Sequence, residues 1–341
     1  MAQINKSSEY FNTVLYTGTG ASNSITGVGF QPDWVWLKYR SSTGDHKLFD
    51  IVRAVPNIIS SNLTDAESTT SNFTSIDSDG FTVTNNSSGY NLSGGNYVAW
   101  NWLASNTTAS NTQGDITSTV SANTTSGFSI VSYTGTGSNP STVGHGLSAV
   151  PKMIIVKMRD GGTDWFIYNK EIGNANTILL NTTNASFSSS VWNSTTPTSS
   201  VFTLGANDVN SSGNSYIAYC FAEKKGFSKF GSYTGNGSTD GTFVYTGFKP
   251  SFVMVKNTVN TRNWTIIDNK RNTFNPETQW LYPNTSDATF DASLYPADFV
   301  SNGFKNRGVG SYFNTSGENY IYMAFAESPL VGTNNIPATA R

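Results

Sequence analysis

Three residue pairs at one fixed spacing could do chemistry. Lys38 stands twelve residues before Asp50, Lys157 twelve before Asn169, and Lys256 twelve before Asp268. On adjacent strands such a pair could condense into an isopeptide crosslink or hold a ligand. It could also form a cross-strand ion pair or hydrogen bond, contributing from a few tenths to about 1 kcal/mol. An isopeptide needs a buried acid beside it, and no glutamate recurs at a constant offset. The expected reading is the ion pair or hydrogen bond.

The other reactive types are sparse. Tyr16, Tyr133 and Tyr233 each lead into a Gly-x-Gly step, at Gly18 and Gly20, Gly135 and Gly137, and Gly235 and Gly237. A glycine loop cradles phosphate when a helix N-terminus follows it, and none is expected here. A turn whose tyrosine packs on a core is the expectation. His46 lies four residues before Asp50, where the other pairs carry Trp165 and Trp264, so the position takes a flat ring. His145 matches Val28 and Thr246, a permissive position. Neither histidine has a recurring acid or nucleophile beside it, as a catalytic triad or metal site requires. Cys220 is the sole cysteine, which rules out an internal disulfide and a multi-cysteine zinc site. The acids at Asp65, Glu67, Asp77 and Asp79 are scattered, without the recurring pair a glycosidase needs. No catalytic residue, cofactor or metal is expected.

The elements that position these residues occur three times, and self-similarity of this kind decides the fold. Pro32, Pro151 and Pro250 each precede the motif lysine by six residues. Short strands rich in aromatic and β-branched residues alternate with turns, and no segment shows sustained helical periodicity. The pattern predicts an all-β protein of three tandem antiparallel β-sandwich (jelly-roll-like) domains. Their expected boundaries are 1–105, 127–224 and 225–328. A Ser/Thr/Asn-rich linker fills 106–126, with a strand near 116–120, and 329–341 is an extended tail. The second and third domains should dock rigidly, the first and second more freely. Trp34 and Trp36 share a strand face, as do Trp100 and Trp102. These could stack sugars, but their counterparts include Met153, Ile155, Phe252 and Met254, which favours core packing. Trp192 and Trp280 fall outside the shared motif, and are the candidates for exposed contact with a partner or glycan.

Composition narrows the classes further. Charged residues are 12% of 341, against about 25% in typical globular proteins. The net charge is −2 and no basic stripe is present, so a nucleic-acid partner is not expected. No run approaches the ~18 apolar residues of a membrane span. The first residues, Met1 to Lys6, lack the apolar stretch of a secretory leader, so cytoplasmic synthesis is expected.

Each repeat pairs the opening Tyr-Thr-Gly-x-Gly and proline–lysine pattern with a closing one at Tyr97, Tyr216 or Tyr320, followed by aromatics and alanine. Together these resemble a β-sandwich repeat of marine-phage virion proteins, often tail-fibre-like, over roughly 10–104, 127–223 and 226–327. The second copy departs by carrying Leu147 and lacking the Gly-Phe-x-Pro string. The resemblance implies a non-enzymatic structural protein of a virion assembled in the host cytoplasm. It implies other virion proteins as partners, and further copies of the chain in an oligomer. The expected role is tail fibre or tail-associated host attachment, with capsid decoration as one alternative. A carbohydrate-binding array meeting a host-surface glycan is another. The domains would stack end to end or around a pseudo-threefold axis, with loops 185–198 and 272–292 facing a partner.

Overall fold

The computed structural model describes residues 3–205, 207–310 and 312–327. The expected tail 329–341 lies outside the described residues. The chain is all-β, built of several antiparallel sheets, none closed. Among the described residues, helix is confined to a turn at Ser7–Glu9 and four residues at Asn207–Asn210.

Each repeat contributes the same four strands. In the first they are β1 (Phe11–Thr17), β2 (Trp34–Tyr39), β3 (Lys47–Asp50) and β4 (Asn96–Trp102). In the second they are β5 (Phe128–Thr134), β6 (Met153–Met158), β7 (Phe166–Asn169) and β8 (Ser215–Phe221). In the third they are β9 (Ser228–Thr234), β10 (Pro250–Asn257), β11 (Thr265–Asp268) and β12 (Asn319–Ala326). The spatial orders are β1-β4-β2-β3, β5-β8-β6-β7 and β9-β12-β10-β11. The closing strand of each repeat therefore lies between its opening and motif strands. Pro32 and Pro151 are buried two residues ahead of β2 and β6, and Pro250 opens β10, so no ladder donor is missed.

Both faces of these sheets are covered. Along β2, Val35, Leu37 and Tyr39 enter a core private to the first repeat, where Phe73, Phe81 and Val83 of smaller strands join them. The second and third repeats have private cores of the same kind. The alternate residues of β2, Trp34 and Trp36, point the other way. They join Trp100 and Trp102 from β4, Ile217, Tyr219 and Phe221 from β8, and Ile321, Met323 and Phe325 from β12 in one shared core. Fully burying a large apolar side chain contributes about 1.5–3 kcal/mol. The shared core is the largest of the four and draws on all three repeats. Trp34 stacks on Tyr219 at 4.3 Å between ring centroids, Phe11 on Phe325 at 4.8 Å, and Phe221 meets Phe325 edge-on at 6.2 Å.

Two expectations change. The segment 106–126 is not a free linker: Ala109–Asn111 and Ser118–Asn123 extend the second repeat's sheet beside β5, with Val120 opposite Val131. The strand expected near 116–120 is present at Ser118–Asn123, whereas the outermost one, Ala109–Asn111, was hidden because an edge strand needs few apolar residues. The first repeat is accordingly not freer than the others, since it shares their core.

Trp102 touches Phe11 and Trp34 of its own repeat, Phe128 of the second, and Phe252 and Phe325 of the third. Trp102→Ala should destabilise the fold by about 3–5 kcal/mol. Amide exchange should accelerate in β8 and β12 as well as in β4. Loss of protection confined to the first repeat would contradict a shared core.

Candidate functional site

The chemistry-bearing residues of the repeats gather at the joints between them, and the joints form a closed ring. Trp165 Nε1 of the second repeat donates to Ser60 O of the first at 3.1 Å. Trp264 Nε1 of the third donates to Leu179 O of the second at 2.8 Å. His46 Nε2 of the first lies 3.0 Å from Tyr282 O of the third. Trp36 Nε1 donates to His46 Nδ1, so Nε2 carries the ring proton and is the donor to Tyr282. A backbone bond repeats the same cycle, from Glu67 N to Arg159 O at 2.7 Å, Ser186 N to Thr258 O at 3.1 Å, and Thr289 N to Arg40 O at 3.1 Å. One contact made three times head to tail, and closing on itself, relates the repeats by an approximate threefold rotation.

The lysines and acids do not meet as expected. Asp50 pairs across the sheet with Trp34, and Asp268 with Phe252, well short of the lysine ends of β2 and β10. Lys38, Lys157 and Lys256 are wholly buried. Their ammonium groups donate to carbonyls: Lys38 to Tyr39, Gly44 and Ser286, Lys157 to Met158 and Gly161, and Lys256 to Asn257 and Thr183. Lys38 and Lys256 thereby tie their own strand to a neighbouring repeat. Burial pushes Lys38 and Lys157 down to about 8, and Lys256 down to about 7, where nearby Arg262 adds to the effect.

The acids have their own arginines. Asp50 accepts from Arg53 Nε at 2.6 Å and from Tyr219 Oη of the second repeat at 2.8 Å. Asp268 accepts from Arg271 Nε at 2.6 Å and from Trp100 Nε1 of the first repeat at 3.1 Å. Trp100 and Tyr219 occupy the same place in the repeat, and the third repeat has Met323 there. The second repeat, correspondingly, has Asn169 and Ile172 where the others have aspartate and arginine. Charge is kept where the neighbour supplies a donor and is missing where the corresponding residue is a methionine. These groups are sealed from solvent.

The glycine steps are strand ends. Tyr16, Tyr133 and Tyr233 stack on Tyr97, Tyr216 and Tyr320 at 4.8–5.0 Å. A Cβ on Gly18, Gly135 or Gly235 would meet a carbonyl oxygen at 2.2–2.4 Å, which fixes glycine there. The sequence reading missed the residue that holds this turn. Asn91, Asn210 and Asn314, all buried, accept through Oδ1 from the backbone N–H between the two glycines. Their Nδ2 groups donate to the carbonyls of Ala21, Ser138 and Ser238 beyond the turn. The signal was present, because each asparagine stands six residues before the closing tyrosine.

Trp192 and Trp280 are not exposed contacts. Both are about 1% exposed or less. Trp192 meets Tyr168 at 6.0 Å, and Asn193 and Ser194, at φ of 47° and 48°, turn the chain sharply behind it. Trp280 packs on Phe313 at 4.8 Å. Polar flanks disguised both as loop residues. His145 is buried, its Nε2 3.2 Å from Thr198 O, and burial lowers it to about 4. Cys220 is buried in the second private core. Among the described residues, no group of three or more His, Cys, Asp or Glu could hold a metal ion.

What stays open to solvent is the rim of the joints. A cleft of about 580 Å³ separates the second and third repeats, lined by Glu171, Asn176, Ser186, Ser232, Thr258 and Asn319 among others. The corresponding cleft between the first and third repeats measures about 310 Å³ and contains Arg40 and Gln279.

A family described as a domain of unknown function, DUF7483, matches residues 6–329. No curated protein matches the chain.

Removing Asp50 alone leaves buried Arg53 short of its main counter-charge, which costs about 3–5 kcal/mol in comparable pairs. Asp50→Asn should therefore lower the denaturation midpoint strongly. Combining it with Arg53→Ile and Tyr219→Met, which copies the second repeat's solution, should recover most of the loss. A triple variant no more stable than Asp50→Asn would contradict the complementarity. Buried Lys256 releases its proton in the fold above about 7 but holds it in the unfolded chain up to the ordinary 10.5. The unfolded state binds more protons in that window, so stability from this group rises with pH there and is flat below it. Lys256→Met should remove that rise between about pH 7 and 9, read from denaturation midpoints. The difference between the two proteins isolates Lys256 from groups of opposite sign, such as Glu277, which burial pushes up to about 9.

Proposed function

The chain belongs to the DUF7483 family, and we propose that it is a non-enzymatic structural component of a phage particle, in a tail fibre or tail-associated host-attachment assembly. In this reading each repeat is a β-sandwich of the jelly-roll-like kind, with its small sheet facing outward. The observation that carries the proposal is the closed ring of joints. One chain builds an approximately threefold body with a single shared core, a shape suited to sitting on a threefold partner. Its reactive side chains are spent inside the joints, on carbonyls and on each other.

The contact surface falls on the third repeat. Most of the large apolar side chains that reach solvent lie there, including Phe243, Tyr245, Phe274, Leu294 and Val309. Phe274 and Phe290 belong to loop 272–292, and Phe187 to loop 185–198, the loops expected to face a partner. With Trp192 and Trp280 buried, the carbohydrate-binding alternative loses the two aromatics that favoured it. Sparse surface charge suits attachment through apolar and backbone contacts.

Particles imaged with an antibody to this chain should be labelled at the tail. Label spread over the shell would replace the tail assignment with capsid decoration, and particles without label would overturn the proposal. Attachment should also survive about 1 M salt, where the screening length is about 3 Å. Release at modest ionic strength would count against apolar docking.

A further inference from the structure

The three joints also differ at the residue two positions after the motif lysine. In the second repeat this is Arg159, whose guanidinium bonds Glu67 of the first repeat at 2.7 and 3.0 Å and Ser132 Oγ at 3.3 Å. In the first repeat it is Arg40, which donates to Gln279 of the third at 2.9 Å. In the third repeat it is Thr258, which has no guanidinium to offer its neighbour. Two acceptors of the missing group remain, while Ser186 stands where Glu67 does, its backbone N–H meeting Thr258 O as that of Glu67 meets Arg159 O. Ser232 precedes Tyr233 as Ser132 precedes Tyr133. Asn176 stands two residues before Ile178 as Gln279 stands two before Leu281, and these pair with Ile167 and Ile266 at equivalent points of β7 and β11. This joint also gains a carboxylate, Glu171, where the other repeats have Val52 and Lys270. The wide cleft of about 580 Å³ lies at this joint.

We infer that this cleft is a socket for an arginine side chain presented by a partner polypeptide. The guanidinium takes the place that Arg159 and Arg40 fill at the other joints. Glu171 lies at the cleft wall, its Oε2 receiving Ser232 Oγ at 3.1 Å. Its other oxygen is 4.0 Å from Lys170 Nζ, an exposed pair of little strength. Asn176 and Ser186 supply further acceptors, and Ile172, Val259 and Ile321 line a path for the methylene stem. A planar fork with five donors matches a carboxylate flanked by amide and hydroxyl oxygens, whereas an ammonium is a point charge. The inference stands whether or not the chain belongs to a particle.

The test is a titration followed by NMR with three probes: a capped Gly-Arg-Gly peptide, a capped Gly-Lys-Gly peptide and guanidinium chloride. The arginine peptide should produce saturable shifts at the amides of Ser186 and Ser232, with a Kd on the order of 10 mM for so small a probe. Glu171→Gln should weaken it about tenfold, a loss on the scale of one charge-assisted bond. Thr258→Arg should abolish it by supplying the side chain in cis, and should raise the melting temperature. Absence of saturable shifts overturns the assignment, as does binding that is indifferent to Glu171→Gln. Equal binding of the lysine peptide would rule out a guanidinium socket, and equal binding of free guanidinium would make it an ion site rather than a polypeptide contact.

Discussion

Burial of the second face of each four-stranded sheet governs this molecule. A lone repeat could cover one face with its own small sheet, but Trp34, Trp36, Trp100 and Trp102 would then project from the other. An exposed apolar face of that size is not stable in water. Three repeats solve the problem together by turning these faces inward, and the ring of joints follows from that choice. Each joint places polar groups at the rim of an apolar core, and most of them are paired there, because an unpaired buried donor or charge is expensive. The buried lysines on carbonyls, the aspartate–arginine pairs and the ring nitrogens on backbone oxygens are three answers to that requirement.

Fusing the copies in one chain frees each joint to differ. In a homotrimer, a change at position 50 would appear three times. Here the second repeat can carry Asn169 and Ile172, matching the loss of a donor at Met323, while Asp50 and Asp268 keep their donors. The same freedom leaves Thr258 at one rim and arginine at the other two. Differences between copies therefore record what each joint's own neighbours supply.

Much of this was legible in the sequence. The threefold repetition, the all-β class and the burial of Trp34 and Trp36 on a strand covered twice all follow from spacing and from alternation broken by continuous apolar runs. What was not legible has physical causes. The strand at Ala109–Asn111 is polar because an edge strand needs hydrogen bonds more than apolar burial. Trp192 and Trp280 looked exposed because their neighbours are polar, yet both rings are buried, Trp192 just ahead of a tight turn and Trp280 in the short strand Gln279–Trp280. Lys38 and Asp50 looked like partners because their spacing is constant, but constant spacing reports that each has a constant job, and the two jobs are separate. Asn91, Asn210 and Asn314 escaped notice among many asparagines, although their fixed distance from the closing tyrosine distinguished them.

The central claim is that three repeats form one cooperative body around a shared core. Differential scanning calorimetry tests it directly. A single transition whose calorimetric enthalpy equals its van't Hoff enthalpy is the predicted result, although chains of this length commonly unfold domain by domain. Two or three resolved transitions, each with the enthalpy of one repeat, would contradict it.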